Sequence, residues 1–262
     1  MGAPADGDAR VLGALSYALI EGAGKGWGTG PVLLALVLAA VSAVVFVTAE
    51  KRAGDAAMVP PRLFRGRGLS AALGSGLLAN FGLSGLLFTL SLYFQESRGY
   101  SSLAAGLAFL PLTLPTAFNP LFTGRLVGRI GPRGPATTGF LLMGFGALLQ
   151  APFTEDSALA PGATVVGLLA FGCGVSFALP ALPALVAGMA GSVPADLAGI
   201  GAGALNSARQ VGASLGVAVL GVILNLSSTN PDGTRWALVV AGLTLLLGAL
   251  IAGTGLKGRT AS

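Results

Sequence analysis

Long apolar runs, separated by short polar gaps, cover most of this chain. A helix needs about 20 apolar residues to cross the hydrocarbon core of a bilayer, and seven runs approach or exceed that length. The strict alternation of apolar and polar residues that a membrane β-barrel needs is absent. The pattern therefore predicts an all-α, polytopic helical membrane protein. The seven runs are Pro31–Val47, Leu69–Phe94, Ser102–Thr123, Gly134–Ala151, Ala163–Met189, Gly199–Leu226 and Trp236–Leu256.

An eighth run, Val11–Ile20, is too short to cross a bilayer as one helix. It covers about 15 Å at 1.5 Å per residue, which is half of the ~30 Å hydrocarbon thickness. Either this run is a re-entrant helix, or the chain starts partway through a helix that spans the membrane. We favour the second interpretation, in which Val11–Ile20 and Pro31–Val47 form a hairpin with a truncated first helix.

The basic residues are concentrated in alternate gaps. If every run crosses the membrane once, eleven basic residues lie on one side, three lie on the other, and Arg209 lies within a run. Because lysine and arginine accumulate on the cytoplasmic side, we expect eight crossings of the cell membrane with both termini in the cytoplasm. The gap Ala190–Ala198 departs from this pattern, since Asp196 is its only charge. Twelve arginines against three lysines indicate a bacterial gene.

The composition supports the membrane prediction. Mean hydropathy is +0.81 and only 10% of residues are charged, whereas soluble domains carry roughly 25%. The 42 glycines lie largely inside apolar runs, where small residues let helix backbones approach closely. Gly212 and Gly216 form one such step of four residues.

Several classes of function lack the residues they need. The chain has no histidine, and its single cysteine, Cys173, lies inside an apolar run, so we expect neither a metal site nor another cofactor. Paired carboxylates, a nucleophile with its base and a phosphate-binding loop are also missing, which argues against an enzyme. The net charge of +5 reflects topology, because the basic–aromatic interleaving of a nucleic-acid surface is absent.

Five groups of motifs stand in order along the chain. They are Tyr17–Gly22 with Gly26–Gly28, Met58–Arg65, Leu92–Gln95 with Gly99–Gly106 and Leu110–Pro111, Gly124–Arg133, and Asn206–Gly212 with Leu215–Val219. In this order they resemble an accessory membrane hairpin, its cytoplasmic connector, the first loop of the C-terminal half, a cytoplasmic loop motif and the penultimate helix of one family. That family is the fourteen-helix drug:proton antiporters of the major facilitator superfamily.

The resemblance implies an accessory hairpin followed by the C-terminal half of a facilitator fold. Such a half contains six helices arranged as two three-helix repeats. The implied organisation is an N-terminal tail at 1–10, the accessory hairpin at 11–48, a cytoplasmic linker at 49–68, the six-helix half-domain at 69–256 and a C-terminal tail at 257–262.

The resemblance also implies a function. It places the proton-coupling carboxylates in a half that has no counterpart here, and no Asp or Glu lies deep in any apolar run. We therefore expect multidrug-type export of drugs or small metabolites, proton-coupled in the complete protein, with this chain supplying one half of the substrate cavity. The alternative is a non-transporting membrane partner, or a half-transporter that a second chain completes. The expected partners are the lipid bilayer, a small-molecule substrate, and the missing half or a second copy, but no nucleic acid.

Polar and aromatic side chains inside the runs are the candidates for lining that cavity. Asn80, Ser84 and Phe88 recur every four residues and share a helix face. Arg209 is the only charge inside a full run, and it must face protein or water because a charge in lipid is costly. For each candidate, ordinary contacts between helices are the alternative. The complete set is Asn80, Ser84, Phe88, Phe118, Asn119, Ser176, Phe177, Asn206, Arg209 and Gln210.

The segment Gly124–Arg133 resembles the cytoplasmic gate motif of the superfamily. Gly128 stands where the motif has an acid, so the salt bridge that the acid makes is missing. We expect the arginines to set topology and to bind helix ends or anionic lipid. The motif residues are Gly124, Arg125, Arg129, Gly131 and Arg133.

Overall fold

The computed structural model describes residues 67–153, 160–190, 195–226 and 233–255. The predicted hairpin, almost all of the predicted linker and both tails lie outside these ranges. The described helices are α1 (Arg67–Leu92), α2 (Ser102–Ala108), α3 (Leu110–Phe118), α4 (Pro120–Ile130), α5 (Arg133–Gln150), α6 (Ala160–Ala190), α7 (Ala195–Leu226) and α8 (Gly233–Gly255). A π-helical turn, Tyr93–Ser97, extends α1, and a 3₁₀ turn, Ala151–Phe153, extends α5.

Five of the described helices are long and apolar enough to cross a membrane. They are α1, α5, α6, α7 and α8, and each matches one predicted run. A helix satisfies its own backbone hydrogen bonds, which is the condition for lying in hydrocarbon. The prediction of an all-α polytopic membrane protein is confirmed.

The predicted run Ser102–Thr123 is divided among α2, α3 and α4. The breaks fall at Phe109 and Asn119, whose backbones stay close to helical geometry. Three prolines follow these positions or lie between them, namely Pro111, Pro115 and Pro120. Each proline removes a backbone donor from the helix. The result is a bent series of short helices in place of one straight span.

The helical conformation extends further than the sequence pattern predicts. Most of Gly124–Arg133, predicted as a loop, belongs to α4, which ends at Ile130. The next residue, Gly131, has φ of +80°, a conformation that side chains with a Cβ rarely adopt. This glycine therefore fixes the point at which the chain turns into α5.

The long helices form two layers. In the first, α7 packs on α1, α1 packs on α6, and α6 packs on α3 and α4. Behind them, α5 and α8 contact each other, with α8 against α1 and α5 against α6. The core between the layers contains fully buried side chains from both predicted repeats, including Leu86, Phe140, Met143, Phe171 and Leu245.

Glycines set the closest helix contacts. At Gly212 and Gly216 of α7, an added Cβ would overlap the backbone of α1 at Leu77 and Phe81. The predicted close approach at this four-residue step is confirmed. On the other side of the bundle, Gly139 of α5 and Gly174 of α6 face each other, since a Cβ on either would lie 2.5–2.6 Å from backbone atoms of the opposing helix.

One arginine connects helices that are distant in sequence. The guanidinium of Arg133, at the start of α5, donates a hydrogen bond to the carbonyl of Gly253 in the last turn of α8. The last four carbonyls of a helix lack donors from the helix itself, and a cation also interacts favourably with the helix dipole there. Arg133 therefore caps α8 and joins the two repeats.

Replacing Arg133 by glutamine is expected to destabilise the bundle by about 1 kcal/mol, the usual loss for one exposed hydrogen bond to a charged group. The measurement is the free energy of unfolding in detergent micelles, followed through Trp236 near the start of α8. Arg129→Gln is the matched control, because Arg129 is exposed and has no hydrogen bond among the described residues. Equal losses in both variants would show that the cap contributes nothing.

Candidate functional site

The surface of α7 is divided along its length into three strips. Successive residues of a helix are turned by about 100°, so residues three, four and seven apart share a side. The buried strip packs on α1 and contains Leu205, Gly212, Gly216 and Leu220. Most exposed residues lie on a polar side, which we define as Gly203, Asn206, Gln210 and Ser214, or on an apolar side, which we define as Val211, Leu215, Val219 and Val222. Val217, which is 37% exposed, is an apolar residue on the polar side.

The predicted stripe on α1 lies next to α7. Asn80, Ser84 and Phe88 are all partly buried. The ring of Phe88 approaches α7 at Gly221, where an added Cβ would be 3.3 Å from the ring edge. Gly221 is separated from Gly203 of the polar side by eighteen residues, five full turns, so it lies on the same side of α7. The stripe and the polar side of α7 therefore adjoin.

Arg209 lies at the boundary between the buried strip and the polar side. Its Cγ is 3.3 Å from the position that a Cβ on Gly76 of α1 would occupy. The absence of a side chain at Gly76 thus makes room for the arginine stem. The Nε of Arg209 is buried and has no hydrogen-bond partner among the described residues.

Asn80 lies one turn along α1 from that contact. Its amide Nδ2 donates a 3.3 Å hydrogen bond to the carbonyl of Gly76. Arg209 and Asn80 therefore contact the same residue of α1 from two directions. Together with Asn206 and Gln210, which are exposed on α7, they bring four hydrogen-bonding side chains to one junction between two helices.

The remaining predicted cavity residues lie on the other helix pair, α3 and α6. Ser176 is buried, and its hydroxyl is 2.9 Å from both the Pro115 and the Gly172 carbonyl oxygens, so it bonds α6 to α3. Phe118 is 68% exposed, whereas Asn119 and Phe177 are partly buried. The described contacts do not connect these residues with Arg209.

The gate-motif residues differ in what they contact. Arg125 and Arg129 are exposed on α4, as are Gly124 and Gly128. Among the motif's described arginines, Arg133 alone has a hydrogen bond that crosses to another helix. Arg133 thus binds a helix end in the structure.

An aromatic cluster at the end of α1 was not predicted. The ring of Phe94 lies 5.5–5.8 Å from those of Tyr93, Tyr100 and Phe109, distances typical of favourable aromatic pairs. Arg98 donates a 2.7 Å hydrogen bond to the Tyr93 hydroxyl. The sequence signal was the density of aromatic residues around the gap Gln95–Ser101. The cluster ties the π-helical turn to α2 and α3.

The described residues contain no group of His, Cys, Asp and Glu side chains arranged to hold a metal ion. The side chains at the junction of α1 and α7 are suited to non-covalent binding. A cationic guanidinium, amide groups and an aromatic ring can bind a ligand by charge, hydrogen bonds and stacking.

Comparison with known proteins identifies the family. A family model described as Major Facilitator Superfamily matches residues 9–217. The chain belongs to this superfamily. Facilitator proteins with similar sequences include a methylenomycin A resistance protein of Streptomyces coelicolor, 36% identical over 92% of this chain and 50% of the relative.

Two further relatives have names of the same kind. The multidrug resistance protein Stp of Mycobacterium tuberculosis is 34% identical over 82% of this chain and 38% of its own length. The tetracenomycin C resistance and export protein of Streptomyces glaucescens is 32% identical over 85% of this chain and 40% of its own length. This facilitator chain spans about half the length, or less, of these curated relatives.

Proposed function

We propose that this facilitator chain supplies one wall of the substrate path in an exporter of drugs or small metabolites. The observation that carries the proposal is the polar side of α7. Asn206, Gln210 and Ser214 are exposed on a helix that is long and apolar enough to span a membrane. Polar side chains are costly in lipid and are usually directed toward protein or a water-filled cavity, so this side suits a substrate path.

The relatives support the class of substrate. Their names refer to resistance to methylenomycin A, to several drugs, and to tetracenomycin C with its export. The partly buried ring of Phe88 lies on the same face of α1 as Asn80, so this face suits amphiphilic molecules because it offers both stacking and hydrogen bonding. We propose a bacterial cell membrane as the location, with both termini in the cytoplasm.

Proton coupling is proposed for the complete transporter only. Membrane transporters use intramembrane carboxyl or histidine side chains as proton relays. In the described spans, carboxyl residues occur only near the ends, at Glu96 in the π-helical turn and at Asp196 in the first turn of α7. The groups that couple transport to protons would therefore lie in other parts of the assembly.

The second candidate is a half-transporter completed by another chain, or a membrane partner that does not itself transport. The same polar side of α7 favours it, because this side needs a covering that is neither lipid nor the described helices. Co-purification of a second membrane chain from mild detergent would favour this candidate.

Export is tested by ethidium retention in an efflux-deficient bacterial strain. We expect cells that express the complete transporter containing this chain to retain at least twofold less ethidium than vector controls. The Asn206→Leu, Gln210→Leu double variant should restore retention, since it removes two amides of the polar side, whereas Val211→Ala on the apolar side should not. Equal retention for the double variant and the parent transporter, at verified membrane levels, would contradict a substrate path along the polar side of α7.

A further inference from the structure

We propose that the junction around Arg209 is a binding site for an anionic group, specifically a carboxylate. The proposal rests on the substrate path proposed above and names the chemistry of one site within it. The residues that form the site are Arg209 and Asn206 of α7 and Asn80 of α1.

The positive charge of Arg209 is not balanced by another charged residue inside the described spans. Arg209 is the only charged residue in the interior of the described spans, and its buried Nε lacks a partner among the described residues. Asp196 is thirteen residues away on the same helix, about 20 Å along its axis, which is too far for contact. A buried donor without an acceptor is unfavourable, so an acceptor from outside these helices would stabilise this site.

The depth of Arg209 argues against a lipid headgroup as that acceptor. The 32 residues of α7 extend about 48 Å, and Arg209 lies about 21 Å from its first residue. With the helix centred on a hydrocarbon core of ~30 Å, Arg209 lies about 12 Å inside that core. Lipid phosphates lie outside the hydrocarbon, so a headgroup would have to enter the core to bind the guanidinium.

The neighbouring side chains fit a carboxylate. A guanidinium binds a carboxylate through two parallel N–H donors. Asn80 donates one amide hydrogen to the carbonyl of Gly76. Its second amide hydrogen can therefore bond to a ligand. Asn206 is exposed one turn from Arg209 on the polar side of α7, and its amide can donate a third hydrogen bond. Access along the polar side gives a dissolved anion a route to the site.

The carboxylate has two possible sources, a transported molecule or an Asp or Glu of a protein segment that covers α7. The first is tested with the chain in nanodiscs of neutral lipid, using 1-pyrenebutyrate and its methyl ester as fluorescent probes. The two differ in the charge of the carboxyl group and in one methyl group, and Arg209→Gln controls for the latter. We expect the anion to bind about tenfold more tightly than the ester, as for a hydrogen-bonded ion pair. Arg209→Gln should abolish the difference and Arg209→Lys should retain part of it.

The second source is tested by cross-linking. Membranes that contain the Arg209→Lys variant are treated with dicyclohexylcarbodiimide, which joins a carboxyl group and an adjacent amine into an amide while the carbodiimide becomes a urea. Mass spectrometry would then find a peptide joined to position 209 through Asp or Glu. Arg129→Lys, at an exposed position of α4, is the control.

The two measurements distinguish the two sources of the carboxylate. A preference for the anion that depends on Arg209 assigns the carboxylate to a small molecule, and a cross-link without that preference assigns it to a protein segment. Absence of both would overturn the site. Because neither measurement requires transport, loss of ethidium export with an intact anion preference would refute the proposed function and leave this site standing.

Discussion

An alanine at Gly212 is expected to prevent α7 from packing on α1. The new Cβ would overlap the carbonyl oxygen of Leu77 and lie 2.8 Å from its carbonyl carbon. Both atoms belong to the α1 backbone, so no side-chain rotation relieves the overlap. Overpacking of a core typically costs about 1–3 kcal/mol, and we expect Gly212→Ala to reach at least the upper end of that range, because whole helices must separate.

Gly203→Ala is the matched control for this prediction. It makes the same chemical change in the same helix, but an added Cβ at Gly203 has no other atom within 4 Å. Since alanine favours helix over glycine, this variant should be neutral or slightly stabilised. The measurement is the temperature at which the detergent-solubilised chain loses its monodisperse peak in size-exclusion chromatography. Similar temperatures for the two variants would show that α7 is not held at this contact.

The class of fold was predictable because a membrane imposes strict conditions on sequence. Apolar runs of about 20 residues have few alternatives to helix in lipid, so α1 and α5 to α8 could be located within a few residues. The close approach of α7 and α1 was also foreseeable. Gly212 and Gly216 are one turn apart, and a small residue at that spacing is useful only if another backbone lies against it.

The helix breaks and the long-range contacts were harder to predict from the sequence. Prolines predict that the segment Ser102–Thr123 bends, but which break forms depends on how α3 fits against α6, where Leu112 packs on Gly172. The bond from Arg133 to Gly253 joins residues 120 apart in sequence. No local pattern identifies its acceptor, because every helix end offers the same unpaired carbonyls.

The sequence indicated which residues are candidates for the site, but not which of them lie close together. Polar side chains inside apolar runs are conspicuous, but the sequence does not show which of Ser176 and Asn206 bonds another helix and which is exposed. The structure separates them, since the hydroxyl of Ser176 bonds α6 to α3 whereas Asn206 is exposed. It also shows why Arg209 is accommodated, because Gly76 on the facing helix leaves space for its stem.

Two phenylalanines of α5 allow the contribution of packing to be measured apart from hydrophobicity. Phe140 is fully buried, with its ring against Gly248 of α8, whereas Phe145 is 62% exposed on the outside of the bundle. We expect Phe140→Ala to lower the free energy of unfolding by about 3 kcal/mol, the lower end of the values for buried aromatic residues. The lower end applies because lipid is as apolar as the protein interior, so the lost term is the cavity and its contacts.

The same substitution at Phe145 should change the free energy of unfolding by less than about 0.5 kcal/mol, as at other surface positions. Both variants are compared with the parent chain by titration with sodium dodecyl sulfate in mixed micelles, using tryptophan fluorescence. The exposed ring contacts detergent or lipid in both the folded and the unfolded chain. Its removal therefore leaves the difference in free energy between the two states almost unchanged. Comparable losses at the two positions would mean that α5 does not present Phe140 to α8, and the arrangement of the second layer would then need revision.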